Sequence, residues 1–267
     1  MKIKILPIID STNSEMKRRA QKAKLESEFV LMANEQTHGR GRGERTWNCR
    51  SGESLAASYW IELSAQEGVG FKWASSLPLI VGLAMVKAAQ KRLISLGRNK
   101  EELSKIGLKW PNDVLVKGQG KLAGILCELV HNRFNFGIVA GIGVNLQDSE
   151  GALHNLPRPA SVWSEVFQDN WKAKEACEDI GCELFNLVKR LAVDGFTALA
   201  GEWYDHCLHK EGMMVDDGML ARLMLRAKEL GAMINIHAEN PDLIDYYTEK
   251  FLSEGKTSAW YHYMSRP

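Results

Sequence analysis

The chain has no excess of either charge. Its 34 lysines and arginines stand against 33 aspartates and glutamates, a formal net charge of +1 over 267 residues. Such a balance gives no global attraction to nucleic acid or to a membrane surface, so any cationic site must be local. No C-x-x-C pair occurs, and the five cysteines (Cys49, Cys127, Cys177, Cys182, Cys207) are odd in number. That argues against a disulfide framework or a zinc site and for free thiols in a reducing compartment. No apolar run reaches the length of a membrane span. The opening Met1–Pro7 is too short an apolar stretch for a signal peptide, and a soluble cytoplasmic protein is expected. Internal repeats and low-complexity tracts are also missing. Hydrophobic content of 45% is ordinary for a globular protein, and the length suits one large domain with an appendage or two modest domains.

What is present is concentrated in a few short stretches. Residues 39–47, Gly39-Arg40-Gly41-Arg42-Gly43-Glu44-Arg45-Thr46-Trp47, hold three arginines among three glycines. Glycine lets backbone approach a ligand closely, and the guanidinium fork matches phosphate and carboxylate oxygens. A flexible cationic loop of this kind can fold over a polyphosphate and shield a reactive intermediate. Taken alone, it could equally be a solvated basic turn.

Patterning predicts a strand over Lys2–Ile9 and a helix over Ser14–Lys24 that Asp10-Ser11-Thr12-Asn13 can cap. Strands follow at Phe29–Ala33 and Ser54–Leu63, and an amphipathic helix at Leu77–Leu93. From Ile106 to Asn145 a strand meander is expected, with segments Val114–Val116, Ile125–Val130 and Phe134–Val144 and a Gly118-Gln119-Gly120 turn. Helices are read over Ala173–Leu191 and Phe196–His206. Strand following strand, with helices at the flanks, points to a mixed sheet covered by helices. After Gly212 the texture changes to a helix (Met219–Leu230), a strand (Met233–His237) and a helix (Pro241–Leu252). A lone strand cannot satisfy its own edges.

Six stretches, in order, resemble the catalytic domain of biotin–protein ligases, also called biotin–[acetyl-CoA-carboxylase] ligases, over about residues 1–207. They are Asp10-Ser11-Thr12-Asn13, Glu35-Gln36 with Gly39-Arg40-Gly41-Arg42, Arg45-Thr46-Trp47, Lys109-Trp110-Pro111-Asn112-Asp113, Lys121-Leu122-Ala123-Gly124-Ile125-Leu126 and Gly141-Ile142-Gly143-Val144-Asn145. The resemblance implies an α+β fold, a mixed and mainly antiparallel sheet flanked by helices as in class II aminoacyl-tRNA synthetases. It carries no preceding DNA-binding helical domain. It implies an enzyme that joins biotin to ATP as biotinyl-5'-AMP, with magnesium accompanying the ATP. Biotin then passes to a lysine of the biotin carboxyl carrier domain of a carboxylase. Neither nucleic acid nor membrane is implied as a partner, and a homodimer is a candidate assembly. The lipoate ligases and a non-catalytic biotin or adenylate binder are the alternatives.

Residue by residue, the resemblance assigns biotin binding to Ser11, Thr12, Asn13, Gln36, Gly39, Arg40, Gly41, Arg42, Lys109 and Gly124. It assigns the ATP or adenylate side to Arg45, Trp47, Asn112 and Asn145. Hydroxyls and amides suit the neutral ureido ring, which both donates and accepts hydrogen bonds. Lys109, with Arg40 and Arg42, is expected to carry catalysis, because an ammonium between a carboxylate and a phosphate stabilises charge built in the transition state. Ser11–Asn13 can also be a plain helix cap, Trp47 a core anchor and Asn145 a turn residue. Glu44 can pair with a neighbouring arginine, and Asp113 can reach magnesium or simply make a turn. No metal site on the protein and no enzyme nucleophile are required.

Residues 213–267 resemble instead an internal segment of dihydropyrimidinases and hydantoinases, through Met214–Leu220, Ala227–Ala232, His237-Ala238-Glu239-Asn240 and Tyr261-His262. They stand where a small β-barrel follows the catalytic domain in the ligase family, so the chain reads as a chimera. The histidine matching His237 binds metal in those hydrolases, but the other ligands have no counterpart here. His206 and His209 likewise lack further ligands.

Overall fold

The computed structural model describes residues 1–43, 45–63, 76–156 and 158–208. The helix, strand and helix expected beyond Gly212, together with Glu44, His209 and His237, lie outside the described residues.

The first strand, β1 (Lys2–Ile9), runs into helix α1 (Thr12–Lys22). Ser11 caps that helix, its Oγ accepting from the Ser14 amide at 3.4 Å, and Glu15 in the first turn and Arg19 and Lys22 in the last complement the helix dipole. Then come β2 (Phe29–Gln36), β3 (Ser54–Glu62) and the long helix α2 (Leu77–Ser95) with Pro78 in its first turn. A short helix α3 (Lys100–Leu103) follows, closed by an Asn99–Glu102 capping box. Four strands make the meander: β4 (Ile106–Lys109), β5 (Asp113–Val116), β6 (Gly120–His131) and β7 (Phe136–Asn145). Helices α4 (Trp163–Phe167), α5 (Ala173–Asp194) and α6 (Thr197–Asp205) complete the described chain.

The seven strands form one sheet in the order β1-β2-β3-β7-β6-β5-β4. All neighbours are antiparallel except β1 and β2, which α1 links as a parallel crossover. This single β-α-β unit gives the sheet the mixed character expected from the strand, helix and strand read at the start of the chain. Its cause is local: α1 follows β1 at once, and a helical crossover returns the chain parallel.

Alternation along the strands separates two apolar layers. Val30, Met32, Leu55, Ala57, Tyr59, Ile138, Ala140 and Ile142 pack in the larger core with Leu83 and Val86 of α2 and Ile180 and Leu184 of α5. On the opposite face Leu31, Trp60 and Val139 pack with Met16 and Ala20 of α1. Strand β3 is buried from Ser54 to Ile61, as expected of a strand covered on both sides. The α1 layer is the smaller one. It leaves part of its sheet face open, and the site lies there.

Candidate active site

Hydrogen-bond register builds the floor. Ala33, Ala56, Gly143, Gly124 and Asp113 stand opposite one another on β2, β3, β7, β6 and β5. A rung of alanine and glycine across the middle of a sheet leaves a trough where larger residues would fill it. Two glycines are required by the groups seated on them. A β-carbon on Gly143 would lie 2.2 Å from Cε2 of Trp47, and one on Gly141 would lie 2.3 Å from Oδ1 of Asn13. The trough and its walls enclose about 660 Å³ of empty space, open solvent at the mouth included. That falls in the range of small-ligand clefts.

One wall is the start of α1. Ser11, Thr12 and Asn13 are buried there and line the cleft with Gln36 from the end of β2. Gln36 Oε1 accepts from the Thr12 amide at 2.7 Å and from Thr12 Oγ1 at 3.1 Å. Asn13 donates from Nδ2 to Leu126 O and to Glu128 Oε2, each at 3.0 Å, and Ser58 Oγ donates to its Oδ1. Asp10, just outside, accepts the Ser11 amide at 2.7 Å and a two-armed contact from Arg18. The Arg18 hydrogen bonds hold its carboxyl down at about 2. The helix cap and the cleft wall are therefore the same residues.

The opposite wall is the glycine–arginine loop, folded as a narrow flap. Gln36 bridges to Cys49 and Arg40 to Thr46, the Gly41 amide donates to Arg45 O at 2.7 Å, and the Trp47 amide donates to Gly39 O at 2.9 Å. Gly39 is buried in this crossing, where a β-carbon would stand 2.1 Å from Trp47 O. Gly43 turns the tip at φ +64°, in the left-handed region. Arg40, Gly41, Arg42, Arg45, Thr46 and Trp47 all line the cleft. The Arg42 guanidinium donates to Asn112 Oδ1 at 3.3 Å, and Asn112 is pinned through Nδ2 to Ile125 O at 2.9 Å. Trp47 lies over Gly143, and its half-buried indole leaves Nε1 without a partner among the described residues.

Two of the expected side chains are not among those lining this cleft. Lys109 borders an adjoining hollow with Pro78, Leu79, Gly82 and Trp203, and Asn112 and Ile125 line both hollow and cleft. Lys109 closes the same rung at its outer end, opposite Asp113 on the edge strand β4. Three strand spacings of about 4.8 Å therefore separate its backbone from that of Gly143. The lysine that reaches the cleft is Lys121, on β6 beside the glycine floor. Its Nζ lies 2.7 Å from Asp113 Oδ1 and 5.6 Å from the centroid of the Trp47 ring. Asp113 is thus engaged by Lys121. Trp110, beside Lys109 in the chain, is half-buried.

Asn145 is the second. It is buried behind the cleft, where its Nδ2 donates to Lys121 O and Ser161 O, each at 3.2 Å. Pro159 and Ser161 also pair with the Lys121 backbone at 3.0 and 2.9 Å. Asn145 consequently holds the strand segment that presents Lys121. Gly39 supports the flap, and Gly124 is part of the floor.

Glu128 was not singled out from the sequence, where it reads as one polar residue inside an apolar strand. It accepts from Lys17 at 2.7 Å, from Asn13 and from the Arg40 guanidinium. Burial acts to raise its pKa, but the donors from Lys17, Asn13 and Arg40 outweigh it and hold the carboxyl below its usual range. Arg40 therefore faces the cleft with its charge already matched. The thiols are distant from this chemistry in character: burial pushes Cys49 up to about 11 and Cys127 and Cys177 up to about 12.

A mixed sheet carrying a glycine-floored, cation-rimmed cleft of small-ligand size defines an α+β domain. The chain belongs to the Biotin/lipoate A/B protein ligase family, whose model matches residues 5–145. It is 35% identical over 136 residues to the biotin–[acetyl-CoA-carboxylase] ligase of Mycobacterium tuberculosis, a match covering 51% of this chain and 46% of that enzyme. The biotin protein ligase of Aquifex aeolicus, solved in complex with biotin and ATP, superposes with a TM-score of 0.63 at 25% identity. That match covers 78% of this chain and 79% of the other. A further match, to the D-hydantoinase of Geobacillus stearothermophilus, is 37% identical over 93 residues, 35% of this chain and 18% of that enzyme. The chain thus spans less than two thirds of the length of these two curated relatives. Similarity to both kinds of protein accords with a chain of two origins.

Proposed function

We propose that this chain is an ATP-dependent biotin–protein ligase. The observation that carries the proposal is the meeting of Lys121, Arg42 and Arg45 with Ser11, Thr12 and Gln36 around one cleft, in a chain of this family. Amides and hydroxyls at one end suit the ureido ring of biotin, and cations at the other suit its carboxylate and the phosphates of ATP. In the first step a biotin carboxylate oxygen forms a bond to the α-phosphorus of ATP and the bond to pyrophosphate breaks. Lys121 and Arg42 offset the charge that gathers as the two anions meet. The flap excludes water from the mixed anhydride. In the second step the amine of an acceptor lysine bonds to the acyl carbon, loses a proton, and AMP departs.

Magnesium enters with ATP, held by phosphate oxygens. The acceptor is a biotin carboxyl carrier domain, the compartment is the cytoplasm, and neither nucleic acid nor membrane is a partner. Among the described residues no helix is long and apolar enough to cross a membrane. Residues 1–207 form the ligase part, and residues 213–267 a hydantoinase-like piece in place of the family's terminal barrel.

Purified full-length protein with biotin, magnesium–ATP and a carrier domain tests this by streptavidin blot and by biotin-dependent pyrophosphate exchange. Labelled carrier is expected. Exchange without labelling would place the defect in transfer, binding without either would make the chain a biotin binder, and labelling with lipoate alone would reassign its substrate.

A further inference from the structure

We propose that Glu128 is a positioning residue that latches the flap through Arg40. The inference builds on the ligase reading for what the flap covers, but not for the latch itself. The flap leaves β2 through Gly39, and Arg40 is its first side chain. The Arg40 guanidinium pairs with Glu128 Oε2, to which Asn13 Nδ2 also donates at 3.0 Å, while Lys17 Nζ sits 2.7 Å from Oε1. Three donors from α1 and the flap thus converge on one carboxylate of β6. The Glu128 side chain is only 19% exposed, whereas that of Arg40 is 38% exposed. A charge-assisted contact made at a well-held carboxylate fixes the mobile partner rather than the reverse.

The other limb of the flap has its own anchor, Trp47 packed on Gly143. Between the two anchors the tip carries Arg42 and Arg45, both exposed. Work is thereby divided among the arginines. Arg40 ties the flap down, while Arg42 and Arg45 keep their charge for a ligand. Glu128 never touches the ligand in this scheme. It sets how often the flap stands open, and so how well a bound molecule is retained.

Trypsin cutting of the ligand-free full chain after Arg42 and Arg45 reads the latch directly, because cleavage tracks the population of the open form. Glu128→Gln should speed cleavage at these two sites about tenfold, with cleavage elsewhere unchanged. Arg40→Gln removes the same contact from the exposed side and serves if the first variant fails to fold. The double variant should be no faster than either single one. Glu128→Asp should restore part of the protection.

In adenylate formation, Glu128→Gln should raise the biotin KM about tenfold and leave kcat within about threefold, since retention and not chemistry is affected. Wild-type cleavage rates in both single variants, effects that add in the double variant, or a fall in kcat at constant KM would each overturn the latch. A wild-type chain with no affinity for biotin would defeat the ligase reading instead, and the trypsin rates would still decide this one.

Discussion

Lys121 and Lys109 are both lysines of short motifs, and only position in the sheet separates them. Lys121 stands beside the glycine floor with Asp113 and Trp47 around its ammonium, and Lys109 sits on the outermost strand. Lys121→Ala is therefore expected to slow biotin-dependent pyrophosphate exchange by about 10²–10³-fold, the usual cost of deleting one preorganised charge donor. Lys109→Ala should slow it less than Lys121→Ala does, since Lys109 is not among the residues lining the cleft. Steady-state exchange on the two variants compares them side by side. Gly143→Ala should leave the fold in place, as judged by circular dichroism, while weakening biotin about tenfold in calorimetric titration. The added methyl group would collide with the Trp47 indole and push it into the cleft.

At the scale of elements, the strands and long helices were legible because hydrophobic period and caps agree. Lys2–Ile9 was read as a strand to the residue, and α2 was anticipated from Pro78 and its apolar face. Helices α3 and α4 went unread, since four and five residues are too few to show a period. The walls of the cleft were legible from residue type: Ser11, Thr12, Gln36, Arg42, Arg45 and Asn112, singled out by their motifs, line one cleft. Strand order was not legible, and it alone decides that Lys121 reaches the cleft, that Asn145 clamps Lys121 from behind and that Glu128 meets Arg40. Such facts arise from pairing between distant segments. Elements also set the stability. Leu83 of α2 is fully buried in the larger core, so Leu83→Ala should lower the unfolding free energy by about 2–5 kcal/mol in denaturant titrations.

For the whole molecule, charge balance near neutrality conceals a strongly paired surface, and acid is the condition that exposes it. The Asp10 carboxyl, held by Arg18, titrates at about 2 against an ordinary 3.8. A carboxyl with a depressed folded-state pKa stabilises the native state fully above 3.8 and loses that contribution as pH falls through 2. Denaturation midpoints measured from pH 5 down to pH 2 should fall, and Asp10→Asn should flatten the drop below pH 4. Because this pair abuts Ser11, the same acid step loosens the start of α1 and with it one wall of the cleft.

The rung of alanine and glycine beneath that cleft has a consequence for anyone wishing to change what it accommodates. Glycine has no side chain to trim and alanine only a methyl group, so the base can be deepened very little by substitution. New shapes are admitted mainly by editing the arginine-bearing roof or the helix wall. Diversity in cargo, natural or engineered, should accumulate above the sheet more than within it.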